Sequence, residues 1–420
     1  MEQRPIRIFF SAGEPSGDLH AANLIRELAA RCPGFLAEGY GGPQMAAAGC
    51  RLHADLTQLA VMWFARALAN LHKFWDLASR ADRYFRHQRP DAVVLVDYPG
   101  FNWWIARRAK IHGIPVFYYT PPQIWAWATW RVKKMRRLAD HVLCSLPFEE
   151  PWLRQHGCHA TFVGHPFFDE VRRQEIDPAF VAAQRARGGP LVTILPGSRT
   201  QEVASNLPWF LKAAARVQQA VPEARFAVAA FRENQAEMAR QMTANCRFEV
   251  HVGRTPELMH LADCCMACSG SVSLELLHHA KPTVILYWIS RLAYAVQKRF
   301  RKGKYITLVN LLADKGGYPW VEDCKLQIAD CKLQIDGGEA LFPEYLTCGD
   351  KSAEIAGHVI EWLKEPEKRA EREARLVRLR EEVGHPGASQ RAAAYVLEAL
   401  EKKGGRGRTG STSGGVCRGP

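Results

Sequence analysis

Short apolar runs alternate with amphipathic stretches along the first half of the chain. An apolar run at 6–12 is followed by a Gly-rich turn at 13–17 and by leucines at helical spacing between 18 and 30. Two further apolar runs, at 91–96 and 115–119, are separated by a stretch of helical length. Continuously apolar strands that alternate with helices are typical of a parallel sheet covered on both faces, so this pattern predicts an α/β domain.

The alternation restarts after a polar stretch near residues 177–189, which we interpret as the linker to a second α/β domain. The new predicted strands lie at 191–195, 225–230, 248–252 and 264–268. We therefore expect two doubly wound, Rossmann-like domains, the first over 1–180 and the second over 181–365.

Two later segments have a different character. The sequence Asp-Cys-Lys-Leu-Gln-Ile occurs at 323–328 and again at 330–335, a duplication that we interpret as an inserted surface segment covering residues 320–337. The tail at 404–420 is rich in Gly, Ser, Thr and Arg. Because it cannot bury enough apolar surface to offset the entropy of ordering, we expect it to be disordered.

The composition is sufficient for two hydrophobic cores, and it argues against a membrane-spanning or exported chain. Of the 420 residues 47% are apolar, and no apolar run approaches the roughly 18 residues that span a bilayer. The first ten residues carry charges, unlike a signal peptide. Twelve cysteines are scattered through apolar segments, a distribution typical of reduced, mostly buried thiols. We therefore expect a cytoplasmic protein.

Basic side chains outnumber acidic ones, 56 to 43, which gives a net charge of +13. Such an excess favours anionic partners: nucleic acid, anionic lipid or a phosphorylated substrate. Part of it lies in two blocks, at 131–137 and 291–304. The second block is either a solvated helix face or a surface for phosphate or anionic lipid.

Polar residues that directly follow predicted strands are the first candidates for chemistry, because open α/β sheets bind ligands beyond the carboxyl ends of their strands. In the turn at 11–18, Ser16 and Asp18 could cap the following helix, and exposed amides there favour an anion or polar ligand. Glu14 has no such structural role. The turn lacks the Gly-x-Gly-x-x-Gly pattern of dinucleotide-binding folds.

Asp97 follows the apolar run at 91–96 and is a candidate general base. Glycosyl transfer with inversion needs one base to take the proton of the acceptor hydroxyl, whereas hydrolysis of a glycosidic bond normally uses a pair of carboxylates. The alternative is that Asp97 caps the next helix.

Two more strand-end turns lie in the second predicted domain. Arg199, together with a helix start, could neutralise a departing diphosphate. The chain has no Asp-x-Asp pair, the usual metal-binding set of sugar-nucleotide transferases, so we expect no metal. Small residues at 268–273 suit a phosphate, and Glu275 could accept hydrogen bonds from ribose hydroxyls. A capped core helix with an incidental glutamate is the alternative.

Aromatic residues cluster in two places. The segment 123–130 runs directly into the first basic block and could stack nucleobases, although no recognised nucleic-acid module accompanies it. The stretch at 59–75 contains Met62, Trp63 and Phe64, with basic residues further along it. It is either core or a surface for a membrane interface or acyl chains.

Nine short motifs, in order along the chain, closely resemble those of the lipid-A-disaccharide synthase family. They are Ser-Ala-Gly-Glu-Pro-Ser-Gly-Asp at 11–18, Leu-Ala-Val-Met at 59–62, Asp-x-Pro-x-Phe-Asn at 97–102, residues 121–127, Leu-Pro-Phe-Glu at 146–149, Gly-His at 164–165, Leu-Pro-Gly-Ser-Arg at 195–199, Ser-Gly at 269–270 with Leu-Glu at 274–275, and Asn-Leu-Leu at 310–312. Some of these motifs are weak alone, but jointly they are highly specific.

The resemblance implies an inverting, metal-independent glycosyltransferase of the GT-B architecture, with the active site in the cleft between two Rossmann-like domains. It implies transfer of 2,3-diacylglucosamine from its UDP form to 2,3-diacylglucosamine 1-phosphate (lipid X), which gives a β(1→6) lipid A disaccharide 1-phosphate and UDP. C-terminal helices over 366–403 would return to the N-terminal domain. Within the chain, 354–364 and 388–402 would be the family's last helices, which can be exchanged in a homodimer. No cofactor and no nucleic acid is implied.

The resemblance assigns the family's roles to the matching residues of this chain. Asp97 would be the general base, and Glu14 would be the second catalytic residue. The acceptor side would contain Ser16, Asp18 and Asn102. The UDP-sugar side would contain Arg199, Glu202, Ser269, Gly270, Ser271, Glu275 and Asn310. Met62, Trp63 and Phe64 would contact acyl chains or membrane and hold the protein at the cytoplasmic face of the inner membrane.

Two positions depart from the family pattern. Gly100 stands where a second aspartate is common, so a role of that aspartate cannot be transferred. Val309 stands where a proline is usual. The step Pro343-Glu344 looks like the family's Pro-Glu step displaced by the duplicated segment.

Two other function classes compete. Another transferase or an epimerase of the same architecture would act on a soluble UDP-amino sugar without acyl chains. A nucleic-acid-binding protein would bind RNA or DNA with steep salt dependence and ignore UDP. The latter leaves the four strand-end turns unexplained.

Overall fold

The computed structural model describes residues 4–57, 71–244, 246–300, 304–314, 334–335 and 338–409. The chain divides into two compact units. The first comprises residues 1–124, 128–169 and 386–420, and the second comprises residues 125–127 and 170–385. Each unit contains a parallel sheet with helices, so the predicted α/β class is confirmed.

In the described part of the first unit, seven parallel strands form one sheet in the order β3-β2-β1-β4-β5-β6-β7. They are β1 (Arg7–Ala12), β2 (Leu36–Gly41), β3 (Arg51–Asp55), β4 (Ala92–Val96), β5 (Val116–Tyr119), β6 (His141–Cys144) and β7 (Ala160–Phe162). The strand order reverses between β1 and β4, and such a switch point is where open α/β sheets bind ligands.

The helices up to residue 171 connect these strands. They are α1 (Pro15–Arg31), α2 (Pro43–Ala47), α3 (Leu71–Gln88), α4 (Pro99–Ile111), α5 (Ile124–Trp127), α6 (Val132–Leu138), α7 (Glu149–Gln155) and α8 (Phe167–Val171). Proline opens both α1 and α4, where its missing N–H leaves no hydrogen bond unmade. Both helices that follow the switch point therefore begin sharply after their strands.

Six strands of the second unit form a parallel sheet in the order β10-β9-β8-β11-β12-β15. They are β8 (Leu191–Leu195), β9 (Arg225–Ala230), β10 (Phe248–Val252), β11 (Cys264–Cys268), β12 (Thr283–Trp288) and β15 (Glu344–Thr347). At the end of the duplicated segment, β13 (Gln334–Ile335) pairs antiparallel with β14 (Gly338–Glu339), which follows the segment, and the rest of the segment lies outside the described residues.

The helices of the second unit cover this sheet. They are α9 (Pro178–Arg185), α10 (Thr200–Ala220), α11 (Glu233–Thr243), α12 (Thr255–Leu261), α13 (Val272–His278), α14 (Arg291–Phe300), α15 (Leu308–Ala313), α16 (Ser352–Lys364) and α17 (Pro366–Val383). None of the described helices, in either unit, is long and apolar enough to cross a membrane.

The final helix, α18 (Ala388–Thr409), belongs to the first unit, as expected for a returning C-terminal helix. Its residues Ala392, Ala393 and Val396 are fully buried in the core that α1 and the strands form. Asp169 fixes its start by accepting hydrogen bonds from the backbone N–H groups of Gly387, at 2.5 Å, and Ser389, at 2.9 Å. The helix ends at Thr409, six residues beyond the boundary predicted for the tail.

Two details of the predicted organisation differ from the structure. Helices α16 and α17 lie in the second unit, where α16 packs on α10, so α18 is the described helix that returns. The polar stretch at 177–189 is not an open linker, because it contains α9, capped by the Asp177 carboxylate. Apart from the short segment at 125–127, the chain passes from the first unit to the second at 169–170 and back at 385–386.

Candidate active site

Two carboxyl groups stand at adjacent strand ends in the first unit. Ala12, the last residue of β1, pairs in register with Val96, the last residue of β4. Glu14 follows β1 by two residues and Asp97 follows β4 directly. The structure therefore brings together the two residues that the sequence marks as catalytic, at the switch point of the sheet.

The backbone at Asp97 is held in an uncommon conformation. Its φ is 43° and that of Tyr98 is 44°, in the left-handed region that residues with side chains seldom adopt. The Tyr118 hydroxyl and the Asn102 side-chain amide both donate to the Asp97 carbonyl oxygen at 2.8 Å. Strained backbone that is fixed by surrounding groups in this way is concentrated at functional sites.

The protein surroundings make the Asp97 carboxylate more basic. Burial raises the pKa of Asp97 to about 6, the negative charge of Glu14 acts in the same direction, and a hydrogen bond from the Tyr98 backbone opposes them. The side chain nevertheless keeps partial solvent access. A carboxylate with this pKa is largely ionised at neutral pH and accepts a proton more readily than an ordinary aspartate.

Asn102 ties the ends of β1 and β4 together. Its side-chain nitrogen donates to the carbonyl oxygens of Ser11 and Val96, both at 3.2 Å, and to that of Asp97. Its side-chain oxygen accepts a hydrogen bond from the Ser11 hydroxyl at 2.6 Å. Because the side chain is fully buried and engaged at both ends, we assign it a positioning role. Direct contact with the acceptor stays a prediction.

Asp18 holds the loop that follows β2. Its carboxylate accepts hydrogen bonds from the backbone N–H groups of Gly42, Gln44 and Met45, at 2.8, 3.0 and 3.1 Å. The residue at the N-cap of α1 is Glu14, which makes no side-chain capping bond, so neither Asp18 nor Ser16 caps the helix. Ser16 is exposed and Glu14 is half-buried, which leaves both accessible to a ligand.

In the second unit, the turn after β8 is shaped by Glu202. The Glu202 carboxylate accepts hydrogen bonds from the backbone N–H groups of Ser198 and Arg199, at 3.0 and 3.1 Å, and from the Arg199 guanidinium at 3.0 Å. Gly197 has a φ of 131°, and a Cβ there would collide with the Glu202 side chain. The Arg199 side chain remains 69% exposed, so it is placed at a helix start with its charge accessible.

Two buried amide side chains fix this turn, and sequence reasoning missed both. The Asn206 nitrogen donates to the Pro196 carbonyl and to the Cys268 sulfur, both at 3.3 Å, and its oxygen accepts from the Trp288 backbone at 2.9 Å. Asn206 therefore links the carboxyl ends of β8, β11 and β12. Gln235 donates to the Ser198 carbonyl at 2.7 Å. A buried Asn on the apolar face of a helix was the available signal, because such groups need specific partners.

The turn after β11 carries three of the predicted donor-side residues. The Ser269 hydroxyl donates to the Ile306 carbonyl at 2.8 Å, which ties this turn to the segment before α15. Gly270 and Ser271 follow it, and Ser271 is exposed. The Ser273 hydroxyl donates to the Gly270 carbonyl at 2.9 Å. This turn has the small residues and the short helix start predicted from the sequence.

Glu344 was not assigned a role from the sequence, yet its carboxylate organises the segment at 306–310. It accepts hydrogen bonds from the backbone N–H groups of Ile306 and Thr307, from the Thr307 hydroxyl and from the Asn310 side chain, at 2.6 to 3.1 Å. Asn310 also exchanges hydrogen bonds with the backbone of Phe342 in both directions. The displaced Pro-Glu step thus sits at the start of β15, despite the duplicated segment before it.

Glu275 is the other perturbed carboxyl group among the predicted residues. Burial, followed by the negative charge of Glu170, raises the pKa of Glu275 to about 7. A protonated carboxyl donates as well as accepts hydrogen bonds, which suits a pair of neighbouring hydroxyls.

The predicted membrane-contact residues Met62, Trp63 and Phe64 lie outside the described residues. The helix that follows them, α3, exposes 55% of Trp75. The Trp75 ring lies edge-on to Trp104, which is 39% exposed, and the Arg108 guanidinium stands 6.0 Å from the Trp75 ring centre. Trp75 belongs to the stretch at 59–75, which the sequence indicates as either core or a membrane interface, whereas Trp104 and Arg108 were not identified from the sequence.

The architecture matches solved structures of two kinds. The putative UDP-N-acetylglucosamine 2-epimerase from Listeria monocytogenes superimposes with a TM-score of 0.61 and 10% identity, covering 95% of this chain and 98% of that one. The glycotransferase of kitacinnamycin gives a TM-score of 0.58 and 16% identity, covering 95% and 100%. At these identities the likeness shows the fold alone. The class defined is the GT-B fold of glycosyltransferases and related epimerases.

Sequence similarity shows the family. The family model described as lipid-A-disaccharide synthetase matches residues 8–335. The lipid-A-disaccharide synthase of Trichlorobacter lovleyi is 33% identical over 402 residues, covering 95% of this chain and 99% of the relative. That of Anaeromyxobacter sp. strain K is 37% identical over 404 residues, covering 94% and 97%. The chain belongs to the lipid-A-disaccharide synthase family and is a glycosyltransferase, as its motifs predicted.

Proposed function

We propose that the chain transfers 2,3-diacylglucosamine from UDP-2,3-diacylglucosamine to 2,3-diacylglucosamine 1-phosphate, with inversion at the anomeric carbon. The products are the β(1→6) lipid A disaccharide 1-phosphate and UDP. The observation that carries the proposal is the Asp97 carboxylate, held at the switch point of the first sheet with its pKa raised to about 6.

Asp97 acts as the general base. It takes the proton of the acceptor 6-hydroxyl as that oxygen bonds to the anomeric carbon, while the bond from that carbon to the β-phosphate oxygen breaks and UDP leaves. One ionised carboxylate is enough for this step. Glu14 raises the basicity of Asp97 through its charge, and it lines the acceptor side together with Ser16.

Arg199 and the start of α10 stabilise the departing UDP. Negative charge grows on the diphosphate as the bond breaks, and both a guanidinium and a helix N-terminus stabilise such charge without a metal ion. Glu202 fixes the conformation of the turn by accepting hydrogen bonds from the N–H groups of Ser198 and Arg199. Ser269, Gly270, Ser271, Glu275 and Asn310 complete the UDP-sugar side, where Glu275 contacts the ribose hydroxyls.

Acylated substrates require contact with a membrane surface, and we propose that the protein binds peripherally to the cytoplasmic face of the inner membrane. Exposed tryptophans beside arginines suit the interface between headgroups and acyl chains. The pair Trp75 and Trp104 with Arg108 has this character, and so does exposed Trp130 beside Arg131. Met62, Trp63 and Phe64 precede this surface along the chain.

The test is UDP release by the purified chain given UDP-2,3-diacylglucosamine, with and without the acceptor, in the presence of a chelator. We expect acceptor-dependent release that resists the chelator and collapses in Asp97→Asn. Arg199→Ala should lower kcat/KM without lowering Tm, because its side chain is largely exposed. UDP release from an unacylated UDP-amino sugar, with none from the acylated donor, would instead support the soluble-sugar transferase, and conversion of that UDP-sugar into its epimer would support the epimerase.

Membrane binding is tested separately by sedimentation with anionic vesicles. Trp75→Ser combined with Trp104→Ser should reduce binding while leaving Tm and turnover of detergent-dispersed substrate unchanged. Phe231→Ser is a matched control, because Phe231 is an exposed aromatic residue of the second unit, 59% accessible. Equal binding by the double variant and the control would count against this surface.

A further inference from the structure

We propose that His141, His159 and Tyr395 form a binding site for a divalent transition-metal ion. His141 begins β6, His159 directly precedes β7, and Tyr395 lies on α18. These residues stand at the amino ends of the strands, whereas Asp97 follows the carboxyl end of β4. The site is therefore separate from the catalytic groups of the same unit and takes no part in the transfer reaction.

A cavity of about 530 Å³ opens at this edge of the sheet and is lined by all three side chains. His159 is exposed, and His141 and Tyr395 are half-buried. A metal ion thus has an entry path, and the cavity has space for the water molecules that complete its coordination.

Two close polar contacts share the Nδ1 atom of His141. The His141 Nδ1 atom is 2.9 Å from the Nδ1 atom of His159 and 3.0 Å from the Tyr395 hydroxyl oxygen. An imidazole nitrogen has one in-plane position, occupied either by a proton or by a lone pair, so it pairs well with one neighbour only. Hydrogen bonding therefore satisfies only one of the two contacts of the His141 Nδ1 atom well. A cation coordinated by all three side chains would give each of them a partner.

The spacing of the two nitrogens selects the type of ion. Metal–nitrogen bonds of about 2.0–2.1 Å to atoms 2.9 Å apart enclose an angle of about 90° at the metal. That angle belongs to the square-planar or octahedral coordination of Cu²⁺ and Ni²⁺, whereas tetrahedral Zn²⁺ requires nitrogens about 3.3 Å apart. The phenolic oxygen of Tyr395 supplies the third ligand.

Nearby lysines oppose a cation only weakly. Lys110 is paired with Asp140 at 2.6 Å, Lys402 is paired with Glu398 at 2.5 Å, and Lys403 donates to the Gly113 carbonyl at 3.4 Å.

The third ligand distinguishes this site from the usual metal sites. In the part of the chain that the structure describes, no three His, Cys, Asp or Glu side chains are grouped to hold a metal ion. Here the tyrosine comes from α18, so a bound ion would join two neighbouring strands to a helix from the other end of the chain. Binding to the folded chain should therefore raise its Tm by mass action.

The experiment is a Cu²⁺ and Ni²⁺ titration of the metal-stripped full chain, in a Cys246→Ser background because the Cys246 thiol is exposed. We expect one saturable equivalent, a rise in Tm with Ni²⁺, and a Cu²⁺ electron paramagnetic resonance spectrum with couplings from two imidazole nitrogens. His159→Gln should leave one nitrogen coupling and weaken binding about tenfold or more, since each tenfold corresponds to about 1.4 kcal/mol. Tyr395→Phe should keep both couplings and lose the phenolate-to-copper absorption band.

His112→Gln is the matched control, because His112 is tied to Asp82 at 3.0 Å elsewhere in the same unit. It should bind both ions as the parent does. The absence of a saturable equivalent, or equal affinity and two nitrogen couplings in His159→Gln, would overturn the proposal and leave a hydrogen-bonded cluster only. His141→Gln repeats the test at the half-buried ligand, with its folding checked by circular dichroism.

Discussion

The ring of Tyr98 fills the space into which a side chain at position 13 would project. A Cβ atom on Gly13 would lie 2.3 Å from Cδ1 of Tyr98, closer than any real contact. We therefore expect Gly13→Ala to displace the turn that carries Asp97 and to abolish most transfer activity, measured as acceptor-dependent UDP release. Tyr98→Gly should restore part of it in the double variant, because glycine removes the ring and accepts a φ of 44°.

The acid limb of the pH profile should report the Asp97 carboxyl. A general base must be ionised, so kcat/KM should fall as the pH drops through about 6, the pKa of Asp97. Glu14→Gln removes a charge that raises this pKa, and the limb should then move to lower pH. A limb that stays in place in Glu14→Gln would mean that a different group titrates.

Asp97 should also weaken the fold at neutral pH. Its pKa is higher in the folded chain than the ordinary aspartate value of 3.8, so ionisation opposes folding above about pH 6 and has no effect below the unfolded pKa. Asp97→Asn should therefore raise the free energy of unfolding at pH 8, by at most about 3 kcal/mol, and the gain should vanish towards pH 4. Denaturant unfolding at both pH values measures this difference.

Glu344→Gln should disrupt the segment at 306–310. The amide would present its own N–H groups to donors that now face a carboxylate, and losing a hydrogen bond to a charged group costs about 1.5–3 kcal/mol. We expect a lower Tm and a higher KM for the UDP-sugar. Glu354→Gln is the matched control, because Glu354 pairs with Lys351 at the surface and should change stability by less than about 1 kcal/mol.

Gly100→Asp restores the aspartate that is common in the family. Nothing lies within 4 Å of a Cβ at this position, which is the second residue of α4. An acidic residue in the first helical turn, in place of glycine, should stabilise the chain by about 1 kcal/mol. Thermal unfolding measures this effect, and unchanged kcat would mean that the aspartate is dispensable in this chain.

Local patterns were sufficient to predict the strands that carry the site. The run at 191–195 is β8 residue for residue, and the run at 6–12 is β1 with one residue fewer. Both consist mainly of apolar residues because both faces of their sheet are covered. The positions of Glu14 and Asp97 at strand ends were predictable for the same reason, since Asp97 directly follows such a run and Glu14 follows one by two residues.

The groups that fix the site were not predictable in this way. Asn206 and Glu344 act through partners 82 and 38 residues away in the chain, and spacing along the sequence does not indicate which distant segments meet. Asp177 is different, because an aspartate directly before a proline is a local signal for a capped helix. The overall polarity of 177–189 obscured that signal.

The burial of Ala392, Ala393 and Val396 in the first core has a consequence for biosynthesis. The described strands of that unit end at Phe162, but the helix that covers the α1 side of their core is synthesised only after the whole second unit. Synthesis of the first unit therefore begins before that of the second unit and ends after it. A nascent chain halted before residue 388 would expose an apolar face to chaperones and proteases, and a fragment ending at residue 169 would keep that face uncovered.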